Sequence, residues 1–322
     1  MGFTWGAEIV AYVEQENFPL ITKALVGGRT AAMMTKQVGV KGDTTLNLMD
    51  TAVNINDGGD CTWLQDGNIT FSQRTINAKQ CKVNMEFCPD ALRGYYLRTQ
   101  LPAGTPNEAL PFEAQFGQYL VEKIQDEIEK MIWQGNDAAG VGNLGRFDGL
   151  LMPTASFTDC NLAGDFPVPL ASPLTISDMI EAIERIYVNT PAEAVAQPDF
   201  KIFMGYDKFR LLAAGMLNGQ TGLTGAGALG GAQLNSYQSD FDPMRLVFPG
   251  TNIECVAVNG LTGLNGIYGA NLSNLVLGVD LESDTSNIEA WYSQDDRKFK
   301  VACEFTMGTQ IAYPDLVGKV AV

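Results

Sequence analysis

The sequence predicts an α+β fold, and three observations carry that prediction. Residues 112–131 place apolar side chains at helical spacing over about five turns. Residues 81–87 and 299–307 instead alternate apolar and polar side chains without a break, the pattern of half-buried strands. Between these segments helices and strands mix without the regular strand–helix alternation of a doubly wound enzyme.

In chain order, residues 1–42 have weak periodicity and carry Gly27, Gly28 and Gly39, so they read as an extended arm with a short helix near 7–16. Residues 43–88 are rich in Asn, Asp, Thr, Gln and Gly, with turn signals at Asn56-Asp57-Gly58-Gly59-Asp60 and Asp66-Gly67-Asn68. They close on the alternation of Cys81, Val83, Met85 and Phe87 with Lys82, Asn84 and Glu86. The whole reads as a long, polar two-stranded excursion with few core residues. A ribbon of that kind is not stable alone in water, so another chain is expected beneath it.

Pro89 and Asp90 open a short helix around 91–99, and Pro111 opens the clearest helix of the chain. Phe112, Phe116, Leu120, Ile124, Ile128 and Met131 form its apolar stripe. Glu113, Glu122, Asp126, Glu129 and Lys130 are assigned to the other side, with Asp126 able to pair with Lys130. About 23 residues at 1.5 Å each make a rod of roughly 35 Å, ended by Gly135. A glycine-rich connection follows, and its Gly140-x-Gly142-x-x-Gly145 spacing matches the dinucleotide fingerprint by letters. That fingerprint needs a strand before it and a helix after it; here it follows a helix, so a turn is the reading.

A second helix is expected at 176–188, with Ile176, Met179, Ile180, Ile183 and Tyr187 on one face, started by Thr175 and Asp178 and stopped by Thr190-Pro191. A strand at 200–204 and a helix at 206–214 come next. The glycine-rich stretch 215–235 lacks the Gly-Lys-Ser/Thr of a phosphate-binding loop and reads as a surface loop. Strands are expected at 245–248, 253–258 and 275–279. A long hairpin closes the pattern: Ile288, Ala290 and Tyr292 on one strand, Phe299 to Met307 on the other, and a charged tip, Ser293-Gln294-Asp295-Asp296-Arg297.

Composition narrows the chemistry. The 322 residues hold 37 acidic and 21 basic side chains, a formal net charge of −16, and no histidine. Without histidine there is no Ser-His-Asp or Cys-His catalysis and no imidazole switch. Such acidity argues against gripping nucleic acid over the whole surface, since phosphate affinity comes from basic clusters. The exception is local: between Asn17 and Gly42 stand Lys23, Arg29, Lys36 and Lys41 with no acid. That stretch is read either as a solvated arm or as one facing an acidic neighbour or a polyanion. The six cysteines, Cys61, Cys81, Cys88, Cys160, Cys255 and Cys303, form no C-x-x-C pair and are too dilute for a disulfide scaffold. The first residues, Met1 to Glu8, show neither a basic nor an apolar signal region, and no apolar run is as long as a membrane span. A soluble protein made in the cytoplasm, of roughly two domains by length, is the expectation.

This order of elements resembles the Hong Kong 97 fold, the major capsid protein fold of tailed bacteriophages. Three stretches carry the resemblance. Asp60-Cys61-Thr62-Trp63-Leu64-Gln65-Asp66-Gly67 with Lys79-Gln80-Cys81-Lys82-Val83 is similar to the family's extended loop and its return strand. Residues 112–135, then Gly145-Arg146-Phe147-Asp148-Gly149-Leu150-Leu151, look like its spine helix and the turn behind it. Residues 288–292 and 298–307, joined by 294–297, look like the peripheral strands and their threefold loop.

The resemblance implies an arm at 1–42, an extended loop at 43–88, a peripheral domain at 89–155 and 283–311, an axial domain at 156–282 and a C-terminal segment at 312–322. The 215–235 loop would face the centre of the hexamers and pentamers. It further implies an icosahedral shell around double-stranded DNA, held without sequence-specific binding. A separate scaffolding protein, a portal, and decoration or head–tail proteins would be its partners, and no catalytic residue, cofactor or metal is implied. Subunit contacts are assigned to Trp63, Leu64, Arg74, Lys79, Lys82, Asp295, Asp296 and Arg297. Some members crosslink Lys to Asn with the help of a Glu, but 295–297 offers Asp, Asp and Arg, so salt bridges and strand pairing are expected instead. Two other readings are an encapsulin-like nanocompartment shell and a soluble enzyme with a carboxylate site.

Overall fold

The computed structural model describes residues 29–55, 67–87, 112–152, 157–160, 176–219, 245–248, 251–280, 288–293, 295–296 and 298–321. The expected helices at 7–16 and 91–99 lie outside the described residues, as do residues 220–235 of the loop expected at 215–235; residues 215–219 are corrected to helix, since the helix expected to stop at 214 runs over Tyr206–Gly219.

Helix α1 (Arg29–Met33) leads into strand β1 (Thr35–Gln37), then β2 (Thr44–Val53), β3 (Gly67–Ile76) and β4 (Lys79–Phe87). Helix α2 (Phe112–Gln134) is the long rod, 23 residues as the spacing predicts. After it come β5 (Thr158–Asp159), α3 (Ile176–Asn189), α4 (Ala192–Val195), β6 (Phe200–Met204) and α5 (Tyr206–Gly219). Strands β7 (Arg245–Val247), β8 (Glu254–Ala257), β9 (Gly266–Asn271), β10 (Leu275–Val279), β11 (Ile288–Ser293), β12 (Lys298–Ile311) and β13 (Gly318–Ala321) complete the order.

Three sheets result: five strands built on β12, six in the order β5-β13-β9-β6-β8-β7, and the pair β2-β3. The six-stranded sheet is buried on both faces, and strand periodicity divides its side chains between two cores. Phe203, Val256, Tyr268 and Ala270 join a core with α2, β10 and β12. Ile202, Met204, Cys255, Ala257 and Ile267 join a second core under α3 and α5. This explains why β9 escapes a search for alternation: a strand covered on both sides has no polar face. β6 and β8 run parallel with α5 between them in sequence, a strand–helix–strand unit inside the mixed fold.

β12 is the axis of the other sheet. β4 lies along one side of it, from Phe299↔Phe87 to Met307↔Lys79. On the other side β10 and β11 lie end to end: Val279 is opposite Met307 and Ile288 opposite Cys303. They share that side of β12 between them, and β10 is covered in turn by β1, paired parallel from Thr35↔Val276 to Gln37↔Gly278. β4 is therefore not part of the polar excursion, as the sequence suggested, but of the body. Its inward side chains run from buried Cys81 through half-buried Val83 to exposed Met85, so core support fades along the strand.

Three side-chain assignments are corrected. Glu129, placed on the polar face of the rod, is only 4% exposed. Thr30 Oγ1 donates to its Oε1 at 2.5 Å, Thr30 N–H reaches both carboxyl oxygens at 3.3 Å, and Trp133 Nε1 donates to Thr30 Oγ1 at 2.9 Å. Helix α1 thus covers that face, and the carboxyl is the polar anchor beneath it. Lys130 pairs with Glu127 at 2.7 Å, the neighbour of the expected Asp126. On α3 the buried face is Met179, Ala182, Ile183 and Ile186, while Tyr187 is exposed. Gly269 explains that rotation: a Cβ there would lie 2.6 Å from Ile186 Cγ2, so the sheet opens a gap that admits Ile186.

The glycine-rich connection caps α2. Gly149, Leu150 and Leu151 return along the helix end and donate their N–H groups to the carbonyls of Gly135, Ile132 and Trp133 at 2.8, 2.8 and 3.1 Å. A Cβ on Gly140 would sit 2.6 Å from Gly145 N, and one on Gly145 would sit 2.4 Å from Gly140 O. The fingerprint letters close a tight turn, as the missing strand predicts.

Candidate assembly surfaces

The β2–β3 hairpin offers the largest uncovered apolar feature among the described residues. In its register Met49 is opposite Phe71, Thr51 opposite Ile69 and Val53 opposite Gly67, so these side chains share one face. Met49, Val53, Ile69 and Phe71 are all exposed, Phe71 by 75%. The opposite face is used at its inner end only: Leu46 and Leu48 pack with Ile76, Val276 and Ala312. The expectation that another chain must support the whole ribbon is corrected to this extent, because its inner half rests on its own chain. The outer half, 50–55 with 67–70, is exposed on both faces. Sequence reasoning missed the stripe; its signal was Ile69-x-Phe71, one strand repeat apart, within an otherwise polar segment.

The ribbon made by β4 and β12 carries a different surface. Lys82 lies opposite Glu304 and Glu86 opposite Lys300, while Lys298 Nζ reaches Glu86 Oε1 at 2.6 Å. Lys79 pairs with Asp137 at 3.5 Å. Asp296 at the tip binds Lys300 and Ser293, and the Lys300 ammonium holds its carboxyl below the usual range. Charges on this face are matched within the chain, which leaves few to drive attachment.

The sequence-assigned contact residues therefore separate. Trp63, Leu64 and Arg297 lie outside the described residues. Arg74 is half-buried at the hairpin root, opposite Leu46. Lys79 and Lys82 are exposed on β4, at the inner end of β12, and Asp295 and Asp296 are exposed beyond its other end. The two sets stand about 20–30 Å apart along the strand, from Lys298 to Glu304 and Met307, the partners of Lys82 and Lys79, at ~3.3 Å per residue. They form two separate surfaces.

Chemistry-bearing groups are dispersed. Among the described residues no cluster of three or more His, Cys, Asp or Glu could hold a metal ion. Burial pushes the Cys255 thiol up to about 12 and that of Cys303 up to about 11, and it raises Cys81 as well. Glu129 is raised by burial despite the Thr30 hydrogen bonds. None of these groups lines an exposed site with a nucleophile–base pair.

No protein-family model and no curated protein matches the chain. Solved structures do. The capsid protein of a native GTA particle aligns with a TM-score of 0.55 at 12% identity, over 93% of this chain and 91% of that one. The procapsid of satellite phage P4, a structure that includes the size determination protein, gives 0.55 at 7% identity over 94% and 98%. The capsid of Myoviridae phage XM1 gives 0.54 at 13% identity over 92% and 91%. The chain has the fold of these capsid proteins. This is the Hong Kong 97 fold that the order of elements suggested, and it extends over nearly the whole chain.

Proposed function

We propose that this chain is the major capsid protein of a tailed bacteriophage, assembling as hexamers and pentamers into an icosahedral shell around double-stranded DNA. The observation that carries the reading is the end-to-end likeness to capsid proteins, with more than 90% of both chains covered in each comparison above. The exposed apolar face of β2–β3 supports it, since a ribbon with Phe71 and Val53 uncovered is suited to lie on a second copy. On this reading the protein acts by geometry and is not an enzyme; it resides in the virion, and its DNA is enclosed by an acidic wall without being gripped. Residues 89–155 and 283–311 are assigned to the peripheral region and 156–282 to the axial region. A separate scaffolding protein, a portal and decoration or head–tail proteins are its proposed partners. Trp63, Leu64 and Arg74 would meet neighbours along the extended loop, and Asp295, Asp296 and Arg297 would meet at local threefold axes.

Electron microscopy of the chain produced with its neighbouring genes tests this. Closed shells with a hexamer–pentamer lattice, filled with DNA, are expected. A monodisperse monomer with catalytic turnover would overturn the reading, and small shells filled with protein would replace it with a nanocompartment.

A further inference from the structure

The root of the β2–β3 hairpin sits on an unusual spot of the body. Gly278 of β10 and Gly308 of β12 are directly opposite each other in the ladder, so they bare the same patch of sheet. A Cβ on Gly308 would lie 2.7 Å from Asn77 O and 2.8 Å from Ala78 Cα, both backbone atoms of the β3–β4 turn. One on Gly278 would lie 3.0 Å from Ile76 Cγ2 and 3.4 Å from Val40. Both glycines are therefore filled by the hairpin root, which descends into a notch that any side chain would close. Around the notch the root is tied down. Gln310 Nε2 donates to Thr75 O at 2.6 Å, Tyr313 Oη donates to Met49 O at 3.3 Å, and Leu46 and Leu48 rest on Val276 and Ala312. Gln310 is itself oriented, because its Oε1 accepts the N–H of Ile311 at 3.1 Å.

The geometry points to Gly278 and Gly308, with Gln310, as positioning residues that aim the hairpin before any partner arrives. Leverage makes the seat consequential. Ten residues of strand reach about 34 Å, so a tilt of ~10° at the root displaces the far end by about 6 Å, more than one strand spacing. A small misfit at the notch therefore moves the Met49–Val53–Ile69–Phe71 face out of register with whatever it meets. A seat under the root alone also explains why burial ends at Leu48 and Ile76 while 49–55 and 67–73 are exposed.

The direct test needs no shell. Spin labels at Thr51→Cys and Glu193→Cys, with Cys61 and Cys88 changed to Ser, report the distance between hairpin and body in unassembled subunits. One narrow distribution is expected for the otherwise native chain, with a shift or broadening of about 5 Å, one strand spacing, for Gly308→Ala. Should Gly308→Ala fail to fold, the exchange at the other half of the notch decides. Ile76→Ala should broaden the distribution, and Gly278→Ala added to it should narrow it again by refilling the notch from the sheet side. Gln310→Met, which introduces no clash, should broaden it too. Unchanged distances in the variants that fold would overturn the proposal. Its consequence for particles rests on the shell reading: Gly308→Ala should lower the yield of closed shells about tenfold. Native chains that close no shells would overturn that reading and leave the distance result standing. Normal shells from Gly308→Ala would overturn the seat alone.

Discussion

At the scale of single residues, the energetics concentrate under α2. Trp133 is fully buried, stacks at a tilt 5.3 Å from Phe203 and 5.9 Å from Tyr268, and ends in the hydrogen bond to Thr30. Trp133→Ala should cost about 3–5 kcal/mol in chemical denaturation, since the cavity adds to the lost transfer energy. A change near zero would mean that the site collapses freely. Glu129 gives a pH prediction with a definite sign. Its carboxyl is raised by burial, so the folded state holds the proton more tightly than the unfolded one. Its contribution is complete below the ordinary carboxylate range, near ~4.3, and is lost as pH rises through the raised folded value. The charges that bear on it are Arg29 of α1, which opposes the shift, and Asp126 of its own helix, which adds to it. Glu129→Gln keeps an acceptor for Thr30 but cannot ionise. Its thermal midpoint should therefore gain on the native chain as pH rises from 4 to 8; a gap that stays constant would show that Glu129 titrates normally. Thiols offer a simpler check. Cys81, Cys160, Cys255 and Cys303 are buried and free of disulfides, so a thiol reagent should modify them only on unfolding. Rapid labelling of Cys255 in the native protein would contradict its burial.

At the scale of elements, legibility follows from how many faces of an element are buried. The long helix and the strands around Cys81 and Phe305 were readable because each has one apolar side and one polar side, which is what periodicity detects. β9 was not, because Gly266–Asn271 is buried throughout and Gly269 stands where Ile186 of α3 presses close. Glu129 was misassigned for a related reason: α1 adds a second covered face to the helix, and nothing local to 112–134 announces a segment a hundred residues upstream. Lys79 with Lys82 and Asp295 with Asp296 were legible as exposed charges on two different parts of the chain, and strand register supplies the spacing between them. The hairpin was legible as a ribbon, yet its seat depends on two glycines more than 200 residues further along. Its function can be separated from its folding. Phe71 and Ile69 are exposed, so Phe71→Ser and Ile69→Ser should change stability by no more than ~0.5 kcal/mol. The same changes should abolish particle formation if the apolar face is covered by a second copy. Normal particles from both variants would show that the face stays in solvent.

At the scale of the whole molecule, net charge sets the balance against which the proposed assembly must work. Each chain carries −16, and a shell brings many such chains together. Ion pairs such as Lys79–Asp137, Lys298–Glu86, Lys300–Asp296 and Lys201–Glu254 are internal, so they neutralise the subunit's own surface and offer a neighbour little attraction. What favours contact is apolar, on the hairpin face, and what opposes it over longer range is like charge. These two respond differently to salt. The Debye length falls from about 30 Å at 0.01 M to about 8 Å at 0.15 M ionic strength, which screens repulsion between subunits and leaves apolar burial nearly unchanged. The concentration at which shells first appear, followed by light scattering, should therefore fall as sodium chloride rises through this range, and Phe71→Ser should fail at every salt level. The opposite slope has a specific meaning. If assembly weakens with salt, the basic residues Lys23, Arg29, Lys36 and Lys41 of the acid-free stretch 17–42 hold the shell by meeting acidic neighbours, and attraction between opposite charges outweighs the apolar face.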